Sequence, residues 1–229
     1  MNSVDTNPTA AARPFRIKDC ALAALATGRK VRLLQEFRNE LAEVEPLSLY
    51  HHFWGGLLQP RFEEREYNND FAAWIYHGFH DAILSERLAA LDPTRFADLE
   101  ALRREMLELI DNRLDEAEHL HWMRATRQFE FIRSQIVVFD TGRELQQPEE
   151  LARVIPQLST SSIYYHFIDA RRRTPDSRDD FSDWLAAWGD GCSALRARLL
   201  GVDPYFGSLV ELRAELARQC AVPLTGVPV

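Results

Sequence analysis

The 229-residue chain contains only three cysteines, Cys20, Cys192 and Cys220, and none forms a Cys-x-x-Cys pair. An odd, dispersed set argues against a disulfide framework or a thiolate zinc site and fits a reducing cytoplasm. No apolar run approaches the roughly 18 residues that a membrane span needs, so no membrane association is expected. The opening MNSVDTNPTAAARP lacks the apolar stretch of a secretory signal and reads as a frayed tail over residues 1–14. Basic charge is scarce too. The chain has 27 Lys and Arg against 35 Asp and Glu, a net charge of −8, whereas a phosphate backbone is held by a concentrated basic surface. Nucleic acid is therefore not an expected partner. The one basic cluster, Arg171-Arg172-Arg173, reads as the solvated end of a helix, with an anion site as the alternative. There is no Gly-x-Gly-x-x-Gly, no Walker-type Gly-Lys-Ser/Thr and no Gly-x-Ser-x-Gly, so phosphate-cradling loops and the nucleophile elbow lack their signatures.

What the chain does have is an internal likeness. Residues Phe15–Phe53 align without a gap on Phe129–Phe167, at an offset of 114, with 9 of 39 positions identical. Thr27-Gly28-Arg29 meets Thr141-Gly142-Arg143, Ser48 meets Ser162, Tyr50 meets Tyr164, and His52-Phe53 meets His166-Phe167. After a loop the match resumes. Asp70-Phe71-x-x-Trp74 falls on Asp180-Phe181-x-x-Trp184, Asp92-Pro93 on Asp203-Pro204, and Leu102-Arg103 on Leu212-Arg213. Periods of self-similarity are the mark of a duplicated architecture.

Each half parses alike. An apolar run, Cys20 to Ala26 or Gln135 to Phe139, ends at Thr-Gly, a turn signal. QIVVF is β-branched, and a short strand is expected in both halves. Helices follow over LLQEFRNELAEV and PEELARVI, then from N-caps at Ser48 and Ser162, from the Asn/Asp corners before Asp70 and Asp180, and from Asp98 and Ser208. The expected fold is mainly α with minor β: two tandem homologous repeats, each a short strand followed by about four helices, packed as a pseudo-two-fold pair. The boundaries read as a 1–14 tail, a first repeat at 15–113, a linker at 114–128, a second repeat at 129–220 and a 221–229 tail.

The segment LYHHFWGGLLQPRFEEREYNNDFAAWIYHGFHD, with LAALDPTRFADLEALR after it and FEFIRSQIVVFDTGR later, resembles the bacterial DUF5752 family. The likeness runs from Phe15 to about Cys220, and YHHF, NNDFAAW and LDPTRFADLE are distinctive motifs. Because that family is one of unknown function, the resemblance implies no reaction and no catalytic residue.

Candidate site residues follow from what both halves keep: Tyr50, His52, Asp70 and Trp74 in the first, Tyr164, His166, Asp180 and Trp184 in the second. His52 and His166 lie on the apolar face of their helices, with Asp70 and Asp180 as natural partners. Phe71, Trp74, Phe181 and Trp184 read first as core anchors. His51, one residue from His52, points about 100° away and has Tyr165 as its counterpart. A second pattern occurs once. Asp70, Trp74, His77 and Asp81 form a helical stripe with His80 beside it, and with His52 the set His52, His77, His80 and Asp81 could surround zinc or iron. The second half has Ala187 and Asp190 in place of the two added histidines, and no Glu-x-x-His or His-Glu-x-x-His is present. His119 and His121 fall in the linker.

Two functions remain open on this reading. One is a non-catalytic binding or regulatory scaffold taking a protein or small-molecule partner, with self-association an open option. The other is a metal-dependent hydrolase or oxidoreductase with a histidine-rich site in the first half.

Overall fold

Phe15 and Ile17, and their aligned counterparts Phe129 and Phe131, are buried at alternate positions, the period of a half-buried strand. In the computed structural model, which describes residues 13–59, 66–174 and 176–223, they lie in two long strands, β1 (Phe15–Leu33) and β2 (Arg124–Leu145). The two pair with each other as a single two-stranded antiparallel sheet.

The expected architecture is corrected here. The apolar runs do not end at Thr-Gly as short strands that each lead a repeat. β1 and β2 continue for 19 and 22 residues. An isolated strand exposes unpaired N–H and C=O groups along both edges, and each strand meets this by pairing with the other. Gly28 and Gly142 do carry positive φ, at 80° and 68°. They lie inside the strands, where a left-handed glycine makes a β-bulge rather than a terminating turn. Thr27 Oγ1 donates to Phe131 O and Thr141 Oγ1 donates to Ile17 O, each at 2.6 Å, which ties the bulge to the opposite strand.

The chain divides into two compact units, Ala21–Val137 and Met1–Cys20 with Val138–Val229. Each unit therefore contains a segment of both strands. Of the expected tails at 1–14 and 221–229, residues 1–12 and 224–229 lie outside the described residues, as do the motif residues 60–65.

In the Ala21–Val137 unit the helices are α1 (Leu34–Glu43), α2 (Pro46–Trp54), α3 (Asp70–Phe79), α4 (Ala82–Ala89) and α5 (Leu99–Glu116). Side chains of Asn69, Asp81 and Asp98 accept the third backbone N–H of α3, α4 and α5, which sets the starts of those helices. Ser48 is not an N-cap. α2 begins at Pro46, a residue that suits a first helical turn, and Ser48 lies inside it, buried, donating to Ile132 O at 2.8 Å. Every residue from Ser48 to Trp54 is buried, so this stretch of α2 has no solvent face. The expected linker is largely ordered: α5 reaches Glu116, a 3-10 turn covers Glu118–His121 and β2 starts at Arg124. Phe37, Leu41, Phe71, Ile75, Leu84, Leu102, Met106 and Ile110 form the core with no exposed surface.

The other unit holds α6 (Glu150–Val154), then a continuous helical run of α7 (Thr160–Ile163), a π-helical stretch Tyr164–Asp169 and α8 (Ala170–Arg173). α9 (Asp180–Ala186), α10 (Ser193–Leu200) and α11 (Leu209–Ala221) follow. Ser162 is likewise not a cap; Ser159 takes that role and accepts from Ser162 N. Asp179 caps α9, and Ser208 with Glu211 completes a capping box on α11. The core is built on Leu151, Ile155, Ile163, Tyr164, Phe167, Phe181, Leu185 and Leu216.

Candidate functional site

The burial of α2 from Ser48 onward puts His52 under the strand segment of its own unit. The ring is 3% exposed, packed against Phe71 and Phe129 at centroid distances of 5.0 and 4.7 Å. Ile132 N–H donates to His52 Nε2 at 3.1 Å, so that nitrogen carries the lone pair. The proton then sits on Nδ1, which donates to Asp70 Oδ2 at 3.0 Å. An imidazole has one donor and one acceptor when neutral, and both are used.

His166 repeats this in the other unit. Lys18 N–H donates to its Nε2 at 2.9 Å and its Nδ1 faces Asp180 Oδ2 at 2.8 Å. Its ring lies against Phe15 and Phe181 at 4.9 and 5.6 Å. The tryptophans match as well. Trp74 Nε1 donates to Arg127 O and Trp184 Nε1 to Arg13 O, both at 2.8 Å. Tyr50 and Tyr164 are buried. In each unit a histidine thus grips the backbone of a strand segment, a tryptophan bonds the backbone of a strand (Arg127) or of the residues just before one (Arg13), and an aspartate orients the histidine. Neither ring nitrogen can serve as base or ligand without breaking an internal bond.

His51 differs. Its Nδ1 faces Ser134 Oγ at 2.6 Å, and burial pushes its pKa down to about 4, with the neighbouring His52 adding to the effect. Sequence reasoning left His51 as packing or surface and did not select Ser134. The partner of a helix residue on a distant strand has no local signal.

The proposed metal ligands are not brought together. His77 is exposed and pairs with Glu66 at 3.2 Å, and His80 is the left-handed C-cap of α3 at φ 56°. Asp81 caps α4 and is paired with Arg113 at 2.9 Å. Among the described residues, the group able to offer a metal three ligand atoms within 4.8 Å of one another is His51, His52 and Asp70. For His52 to bind there through Nδ1, its proton would have to move to Nε2, directly against Ile132 N–H.

Two further aligned pairs bond to the backbone in both units. Glu36 and Glu150 are identical in the self-alignment. Glu36 Oε2 accepts from Arg32 N and Leu33 N, which holds its carboxyl below the usual range, and Glu150 Oε1 accepts from Gln146 N and Gln147 N. Arg103 donates to Leu41 O and Val44 O, and Arg213 donates to Leu158 O. The arginine run is engaged: Arg172 and Arg173 contact the buried Asp169, Arg173 also reaches Asp180, and Arg171 lies over the Phe167 ring at 4.9 Å.

Residues 12–221 match the model of a family described as a family of unknown function, DUF5752. Among solved structures, OrfY from Thermoproteus tenax is similar with a TM-score of 0.79 and 25% identity, over 92% of this chain and 95% of that one. No curated protein matches the chain.

Proposed function

Since the chain belongs to the DUF5752 family, whose function is unknown, we propose its role from its own geometry: a non-catalytic binding or regulatory scaffold, descended from a duplication. The observation that carries this reading is the full internal use of the His52 and His166 ring nitrogens. The residues most suited to chemistry are spent on holding strands. Each unit also exposes large apolar side chains, Trp122 at 64% in one and Phe206 and Val210 at 54% and 56% in the other, which suits a protein or small-molecule partner, or a second copy of the chain. Three buried, unpaired cysteines favour a cytoplasmic setting.

A metal-dependent enzyme is the second reading, favoured by the His51, His52 and Asp70 group. Elemental analysis of the purified protein separates the two. The scaffold reading expects less than about a tenth of an equivalent of zinc or iron. Near-stoichiometric metal, lost in His51→Ala, would overturn it.

A further inference from the structure

The N-terminal segment of β1 lies in the unit formed with Val138–Val229, and its backbone there is held by one titratable acceptor. Lys18 N–H points at His166 Nε2 at 2.9 Å, while the Nδ1 side of the same ring is taken by Asp180 Oδ2 at 2.8 Å. A protonated imidazole has two donors and no acceptor. When His166 takes up a proton at Nε2, an N–H faces the Lys18 N–H. The bond is lost, and two donors oppose each other in a site where the ring is 2% exposed. An unmade buried hydrogen bond is costly.

We propose that His166 is a proton-operated clasp on the first strand: neutral, it holds the Phe15–Cys20 segment through Lys18 N–H; protonated, it releases that bond. Charged and titratable groups face the ring from several sides. Asp180 comes from α9, with Arg173 of α8 bonded to the same carboxylate oxygen at 2.9 Å. Tyr165 and Asp169 lie in the same helical run, and the Tyr165 ring stacks edge-on to His166 at 5.0 Å and carries the Arg173 guanidinium at 4.2 Å. On β1 itself are Lys18 and Asp19. Because Arg173 shares the Asp180 oxygen, the carboxylate that would neutralise an imidazolium already serves one cation, and the bond lost on protonation is the one on the Nε2 side.

Other side-chain bonds on and beside this segment include Trp184 Nε1 to Arg13 O, Thr141 Oγ1 to Ile17 O, Arg16 Nε to Glu144 Oε1, Ser159 Oγ to Asp19 Oδ2 and Cys20 Sγ to Ser161 O; burial pushes the Cys20 thiol up to about 12. A proton on His166 therefore acts on one bond of a set, and its signature is local.

Two measurements on the wild-type chain test this. Nitrogen-detected NMR of the His166 ring should show the proton on Nδ1 and the lone pair on Nε2 at about pH 8. Hydrogen exchange of the Lys18 amide, corrected for intrinsic rate, should lose protection by about tenfold across the pH range in which that ring titrates. His166→Gln, whose amide oxygen can accept from Lys18 without titrating, should remove the pH dependence. A proton found on Nε2, a ring that stays neutral until the protein unfolds, or Lys18 protection unchanged through the ring titration would each overturn the proposal.

Discussion

Gly55 shows how tightly the residues around His51 are fitted. A Cβ at position 55 would lie 2.9 Å from His51 Nδ1, inside the distance at which carbon and nitrogen repel. Gly55→Ala is therefore expected to destabilise the protein by about 1–3 kcal/mol, measured by urea denaturation. Combined with His51→Ala the two costs should fall short of additive, because removal of the ring frees the space the methyl needs. His51 also predicts a pH effect. Burial lowers its pKa from 6.5 to about 4. The unfolded chain takes up a proton near 6.5 that the folded state refuses until about 4. Stability is then fully present above about pH 6.5 and falls as pH drops towards 4. The loss is at most about 3 kcal/mol, and His51→Gln should flatten the denaturation midpoint against pH over that window. An unchanged slope in the variant would assign the effect elsewhere.

At the scale of elements, the strands are shaped by their bulges. Gly28 and Gly142 take positive φ with nothing within 4 Å of a built Cβ, so alanine at either is strained in its backbone and not by contact. Gly28→Ala and Gly142→Ala should each cost about 1 kcal/mol, similar in size because each bulge is tied by its own threonine. A much larger loss would mean the glycines serve close packing that the structure lacks. Helix starts were legible in the sequence at Asp98, at Ser208 and at the corners before Asp70 and Asp180, because an N-cap bonds an amide three residues away and its chemistry is local. Ser48 and Ser162 misled for the same reason: both are kept in the two halves, but Ser48 is kept for a bond to Ile132 O, 84 residues away. Strand length was not legible either. The Thr-Gly pairs that read as turns are bulges only because a second strand lies opposite, and that strand belongs to a segment more than 100 residues distant.

At the scale of the whole molecule, the same bonds recur in units that each draw on both strands. His52 with Asp70 and Ile132 in one unit corresponds to His166 with Asp180 and Lys18 in the other. The retained histidines, aspartates and tryptophans could be read from the self-alignment. Their backbone partners could not, since an N–H or C=O group carries no residue signature. That matching places the grip on the strands among the features that hold each unit together, and it accounts for why those residue types persist in both halves while His51, His77 and His80 do not.

The most direct test of that account is equilibrium denaturation of His52→Ala and His166→Ala beside the wild type. Each substitution strands a backbone N–H, removes the ring's bond to an aspartate and leaves a cavity under the strand. Each should lower the unfolding free energy by about 3 kcal/mol or more. Midpoints within error of the wild type would contradict the structural role and return both histidines to the list of groups free to carry chemistry.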